Sequence, residues 1–365
     1  MPAANAPQSI LVNHRIALPG ALDLDASLAF CAHNITFEHI TECVFDCQAL
    51  RRVEPFGMLL VAGKIRRTVT AGSRWGTSFF FAHHDSDSPA LGYAAHIGFF
   101  QSTGLPFGKL PGQAPGSNRY IPITAITRQV LEQDQVSRYE YEIGPAIERR
   151  SKQLAELLAQ NNTNLTRVLT YCIREIIRNA VEHSGANQIW IAGQYWPSKD
   201  LVEIAICDEG VGIRSSLTQN PNLEIHTDED ALDLALRPGI SGKAFRVEGK
   251  RNRRQSNEWD NSGYGLYLTS KLCQLAGEFV IGSGNALLEI VGDDVFTQTV
   301  NLPGTAIRVR FKMSQLPVLE KTLPKLLKAG EKLAVGSDRG AVKSASKSSS
   351  MLTEDLAAIE ARRDR

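Results

Sequence analysis

The sequence predicts an α/β (α+β) chain of two mixed domains, on three observations. Strand-like and helix-like stretches alternate through the first 128 residues, as they do where helices cover a small sheet. From residue 161 a long amphipathic helix leads into an antiparallel strand pair, and a later helix leads into a final run of strands. At 365 residues the chain is long enough for each domain to bury its own core.

Residues 9–18 alternate like a strand and stop at Pro19-Gly20. Residues 23–33 place Leu24, Leu28 and Cys31 at helical spacing, with Asp23 or Asp25 available as a cap. Glu-Cys-Val-Phe-Asp-Cys at 42–47 reads as a short buried strand. The amphipathic stretch from Phe56, with Pro55 near its first turn, reads as a helix. Residues 79–82 form a second buried strand, 89–100 a helix, 105–117 a Gly- and Pro-rich loop, and 119–126 the last strand of a domain spanning 8–128. Residues 143–160, with Ile147, Leu154, Leu157 and Leu158 on one side, form the helix of a linker over 129–160. The second domain, 161–315, opens on a helix through Leu165, Val168, Leu169, Ile173, Ile176, Ile177 and Val181. Residues 189–194 and 201–207 pair around 197–200. A helix follows at 266–276, then strands at 278–283, 286–292, 295–302 and 305–312. Lysine, serine and alanine dominate 316–365, with low complexity at 344–350, and this tail is expected to be poorly ordered.

Composition removes several classes of function. Lys+Arg 40 against Asp+Glu 39 leaves no field that would draw nucleic acid or an anionic membrane. The longest apolar runs, 58–62 and 202–207, fall far short of the roughly 20 residues that span a bilayer. The N-terminus lacks the basic and apolar regions of a signal peptide, so a cytoplasmic location is expected. The six cysteines are scattered without a CxxC pair. They read as small apolar core residues, with neither a disulfide nor a zinc site expected, although Cys43 and Cys47 lie near His33 and His39. His83-His84-Asp85 reads as a polar loop.

Three short stretches carry chemistry. In Glu-Ile-Ile-Arg-Asn-Ala-Val-Glu-His at 175–183, Glu175 and Asn179 share one helix face. An amide oxygen suits a hard cation, and a carboxylate can orient or deprotonate water, which is what a magnesium–triphosphate site requires. Alone, this spacing is equally that of a solvated stripe. In Asp-Glu-Gly-Val-Gly-Ile at 208–213, Asp208 ends a buried strand and can accept the exocyclic amine of adenine, while Gly210 and Gly212 let backbone approach a base and sugar. Alone, this is also an ordinary turn. In Asn-Ser-Gly-Tyr-Gly-Leu at 261–266, Gly263 and Gly265 open an apolar helix whose first N–H groups can donate to phosphate oxygens. The order helix, strand, glycine-opened helix decides for a nucleotide site, and no P-loop competes with it.

These stretches resemble the N box, G1 box and G2 box of the GHKL ATPase superfamily, which includes gyrase B subunits, heat-shock chaperones, mismatch-repair ATPases, sensor histidine kinases and anti-sigma-factor serine kinases. The resemblance covers about 163–311 and is nearest to the histidine-kinase and anti-sigma branch. It implies a Bergerat two-layer α/β sandwich binding ATP and Mg²⁺, with Asn179 on the metal and Asp208 on adenine; Glu175 is the candidate catalytic residue, the water-activating base if ATP is hydrolysed. It also implies that His183 faces the phosphates and that Thr305, after Gly304, helps to hold the Asp208–water–adenine network. Gly210, Gly212 and Ile213 would border the base, and Gly263, Tyr264, Gly265 and Leu266 the phosphates. The segment between Gly212 and Gly263 would be the ATP lid. Its basic residues, Lys243 and the run from Lys250 to Arg254 among them, would supply a phosphate contact.

The N-terminal region is similar to a STAS domain, the smaller α/β fold of anti-sigma-factor antagonists, through Val-Phe-Asp at 44–46 and the helix after 53–57. In those proteins the helix begins Asp-Ser-Ser-Gly and the serine is phosphorylated. Here Glu54-Pro55-Phe56-Gly57 offers no hydroxyl. Residues 148–160 also lack a phosphoacceptor histidine. The expected function is therefore an ATP-binding signalling protein coupled to a protein partner, with transfer of phosphate to another protein open. The alternatives are an ATP-hydrolysing switch that forms a homodimer, or an ATP sensor without turnover.

Overall fold

The computed structural model describes residues 12–133, 143–159, 162–243, 245, 262–336, 341–342 and 344–345. The basic run at 250–254, Asn261 and most of the low-complexity stretch lie outside the described residues. The chain divides into two units, Met1–Ala114 and Pro115–Arg365.

The first unit contains β1 (Val12–Ala17), β2 (Ala21–Leu22), α1 (Leu24–Ala32), β3 (Ile40–Asp46), β4 (Arg52–Val53), α2 (Pro55–Ser73), β5 (Ser78–Ala82), α3 (Pro89–His96) and α4 (Phe99–Thr103). The order β1-β3-β5 is parallel throughout, and β2 pairs in parallel with β4. Parallel neighbours need crossovers, which α1 and α2 supply. Asp23 caps α1 by accepting from the Ala26 N–H at 3.1 Å. Alternation along β3 buries Cys43 and Phe45, and Phe45 packs on the Phe79 and Phe81 rings. The single helix expected at 89–100 is two, broken at Gly98, whose φ is 92°.

The second unit contains β6 (Tyr120–Thr127), α5 (Arg128–Gln133), α6 (Gly144–Ala159), α7 (Thr163–Asn179), a π-helical turn Ala180–Ser184, β7 (Gln188–Trp196) and β8 (Leu201–Asp208). Then come α8 (Gly212–Leu217), α9 (Asp228–Ala235), α10 (Gly265–Ala276), β9 (Gly277–Val291), β10 (Asp294–Lys312) and α11 (Leu316–Val335). The sheet runs β6-β7-β8-β10-β9, antiparallel at every step. Helices bury one of its faces. Leu165, Leu169, Ile173 and Ile177 on α7 and Leu268 on α10 join Ile191, Ile204, Ile281, Ile307 and Val309 in one core. Each such side chain, fully removed from water, contributes about 1.5–3 kcal/mol. On the opposite face, Arg310 pairs with Glu203 and Glu278, and Arg308 with Glu278 and Glu289, bridging β8, β10 and β9.

Four sequence expectations change. The strand expected at 119–126 as the end of the first domain is β6, paired with β7 in the second unit. The described part of the 129–160 linker includes α6, whose Ala146, Ile147, Leu154 and Leu158 belong to the second core, so its apolar face is an inner surface. The four strands expected over 278–312 are two long ones, because a bulged hairpin continues through the polar breaks. The tail begins not as disorder but as α11. Its Lys- and Ala-rich composition spaces Leu323, Leu327, Gly330 and Ala334 along one helix face, and Leu323 and Ala334 are buried.

Candidate functional site

The three chemistry-bearing stretches meet in one cleft of about 760 Å³, its open mouth included. Asn179, Ala180, His183 and Ser184 come from the end of α7 and the π turn; Asp208 from the end of β8; Gly212 and Ile213 from α8. Gly263, Gly265 and Leu266 come from the start of α10, and Thr305 from β10. Apolar walls are added by Ile176, Ile206, Leu217, Ala235, Ile240 and Ile307. A concave, mostly apolar cleft with a few converging polar groups is the usual form of a small-molecule site.

The stretches are interlocked by backbone. Asn162 caps α7 by accepting from the Leu165 N–H at 3.1 Å. The helix then widens into a single π turn, a form common at functional sites, and ends at Gly185. The Ser184 carbonyl there accepts from the Val211 N–H at 2.8 Å. A Cβ on Gly210 would lie 2.1 Å from that same carbonyl oxygen, so only glycine lets the 208–213 turn seat against the end of α7. On the other side, β10 bulges at Gly304 with φ 75°, and a Cβ there would lie 2.1 Å from the Asp208 carbonyl oxygen. Thr305 is thereby held directly opposite Asp208 in the ladder.

Asp208 is a buried carboxylate among the cleft's apolar walls. Burial pushes its carboxyl up to about 6, against the opposing pull of the Gly210 and Thr305 N–H groups. Its Oδ1 accepts from Gly210 N at 2.9 Å. His183 also lines the cleft. Burial, then the Lys243 and Arg178 charges, push its imidazole down to about 4, so the ring is neutral at pH 7. Lys243 reaches back from the segment after α9 to donate to the Glu182 carbonyl.

Three expected residues are placed elsewhere. Glu175 does not line the cleft. Its carboxylate is fully buried, accepting from Arg178 at 2.6 Å and from Arg174 Nε at 3.1 Å, while Arg174 also donates to Glu148 at 3.0 Å. A Cβ on Gly265 would lie 2.2 Å from Glu175 Oε2, so this ion cluster sits directly under the start of α10. Tyr264 is buried with its hydroxyl donating to the Val342 carbonyl at 3.0 Å, outside the cleft lining. Gly210 is behind the lining, against Ser184. Conversely, Ile176, Ile206 and Ile307 were legible only as helix and strand core, since nothing in an isoleucine's spacing separates a ligand-facing position from a packed one, and Leu217, Ala235 and Ile240 fall in the stretch read only as a lid.

Among the described residues no group of three or more His, Cys, Asp or Glu side chains could hold a metal unaided. Asn179 lines the cleft, and an amide oxygen is a donor that a hard cation can take. No helix among the described residues is long and apolar enough to cross a membrane.

Comparison with curated proteins finds no match, and comparison with solved structures finds none. Comparison with protein families gives a match over residues 164–315, to the family described as histidine kinase-, DNA gyrase B-, and HSP90-like ATPase. That stretch runs from the first turn of α7 to the end of β10 and contains every cleft residue named above. Residues 164–315 are thus a GHKL-type ATPase domain, to which β6 and α6 add one more strand and one more helix.

Proposed function

We propose that the chain is a cytoplasmic, ATP-dependent regulatory protein whose 164–315 domain binds Mg-ATP and whose STAS-like N-terminal unit passes the nucleotide state to a protein partner. The observation that carries the ATP reading is the pairing of a buried carboxylate, Asp208, with Thr305 in a largely apolar cleft that Asn179, His183 and the glycine-opened start of α10 also line. A carboxylate accepts the exocyclic amine of adenine and repels the carbonyl of guanine. The neutral His183 ring and the α10 N–H groups offer donors to phosphates without a standing charge to neutralise. Asn179 would bind Mg²⁺ together with phosphate oxygens and water. The metal, when bound, neutralises charge across the triphosphate.

One observation favours sensing over turnover. Both Glu175 oxygens are engaged by buried guanidinium groups, and the side chain does not border the cleft, so it is poorly placed to activate water. We assign it the structural task of fixing α7 beneath the start of α10. The test is to incubate the full chain with Mg²⁺ and ATP labelled on the γ-phosphate. The expected result is label retained as bound ATP. Failure to retain ATP overturns the proposal. Rapid release of free phosphate, lost in Glu175→Gln, would return Glu175 to the role of general base. Label on a protein would establish phosphotransfer.

A further inference from the structure

A buried hydroxyl behind the cleft joins two of its walls. Ser283 on β9 is 3 % exposed and faces Thr305 of β10 in the antiparallel ladder. Its Oγ donates to the Gly304 carbonyl at 2.7 Å and accepts from the Ile213 N–H at 2.9 Å. One atom thus ties the bulge that presents Thr305 to the turn that follows Asp208. Ser283 does not itself line the cleft. Gly212, Ile213 and Thr305, which it holds directly or through one residue, all do.

The spacing of these walls matters because the base-reading groups sit on them. Asp208 is fixed by β8, but the distance from the 212–213 turn to Thr305 is set where β10 bulges, and the ladder register is broken there on the N-terminal side of Thr305. A bulge leaves local ladder groups unpaired. Here the Gly304 carbonyl accepts from the Ser283 hydroxyl, and the Ile213 N–H donates to it. Leaving either buried group unsatisfied has a substantial cost, so the turn and bulge would readjust if the hydroxyl were removed.

We propose that Ser283 is a positioning residue for base recognition, setting the separation of the 212–213 turn from the Gly304–Thr305 bulge and so the width of the slot in which Asp208 meets the base. This inference rests on the reading of the cleft as an adenine-nucleotide site. It adds a residue that touches no ligand yet governs which base is preferred.

The test measures ATP and GTP binding to the full chain for the wild type, Ser283→Ala and Ser283→Thr, with a thermal melt of each. The wild type should prefer ATP. In Ser283→Ala, ATP affinity should fall about tenfold, the size of one lost buried hydrogen bond, while the weaker GTP binding changes little, so that the preference narrows. Ser283→Thr keeps the hydroxyl and should restore the preference, and it carries the test if the alanine variant does not fold. Equal loss for both nucleotides, or an unchanged preference in the alanine variant, would make Ser283 merely structural and overturn the inference. So would a threonine variant that folds yet loses the preference. A wild type that binds neither nucleotide would overturn the reading of the cleft itself, and this inference with it.

Discussion

At the scale of single residues, the cleft is built around a carboxylate kept in an unfavourable place. The folded pKa of Asp208, about 6, lies above its ordinary 3.8 because of burial. The folded state therefore binds more protons between these values, and ionised Asp208 is a penalty fully present above pH 6 and relieved as pH falls toward 4. That penalty is on the order of 3 kcal/mol. Asp208→Asn should therefore raise the stability of the ligand-free protein at pH 8, read as a higher denaturant midpoint, while weakening adenosine binding about tenfold or more. In the wild type, adenosine affinity should fall as pH is lowered through 6, because the amine of adenine needs the ionised acceptor. Unchanged affinity in the variant would remove Asp208 from base recognition. Residue identity was the most legible level of this site. Asp208, Asn179 and the glycines announce themselves by type and spacing. Ser283 does not, since a serine in a strand carries no signal until the bulge opposite it is seen.

At the scale of elements, what positions the site is a set of helix and strand ends locked to one another. The carbonyl of Ser184 holds the 208–213 turn, the glycine at 304 admits the bulge, and Glu175 under Gly265 sets the start of α10. The sequence showed α7, β7, β8 and α10 clearly, since each has a long apolar period. It showed less of α11, because Pro324 inside a lysine-rich run argues against a helix, and tertiary packing of Leu323 and Ala334 overrides that local signal. The segment after α11 bonds to the chain beside Gly239 and Tyr264. Val342 donates to the Gly239 carbonyl at 2.9 Å and accepts from Tyr264 at 3.0 Å, and Gly239 in turn donates to Gly263. Tyr264→Phe removes one of these bonds and nothing that borders the cleft. It should cost about 1 kcal/mol in a denaturant titration and leave ATP affinity within twofold. A loss of affinity without a loss of stability would put the Tyr264 hydroxyl at the nucleotide after all.

At the scale of the whole molecule, residues 164–315 are an ATPase-family domain embedded in a larger unit that begins before β6. The sequence drew the domain edge too late, because β6 precedes the motifs and its partner, β7, lies beyond α6 and α7 in the chain. Periodicity reports that a strand exists but not which sheet receives it. The parallel β1-β3-β5 sheet of the first unit agrees with the α/β layering expected there, and its STAS-like character remains part of the proposal. The central claim is that the cleft is an adenine-nucleotide site. It is tested most directly by the thermal unfolding of the full chain at pH 8 with Mg²⁺ and ATP, against Mg²⁺ and GTP at the same concentration. At a hundredfold excess over its dissociation constant, ATP should stabilise the protein by about 2.7 kcal/mol, visible as a clear rise in melting temperature, with a much smaller rise for GTP. In Asp208→Asn the rise with ATP at that concentration should fall to about half or less. Equal shifts with the two nucleotides, or no shift with ATP at any concentration, would contradict the account.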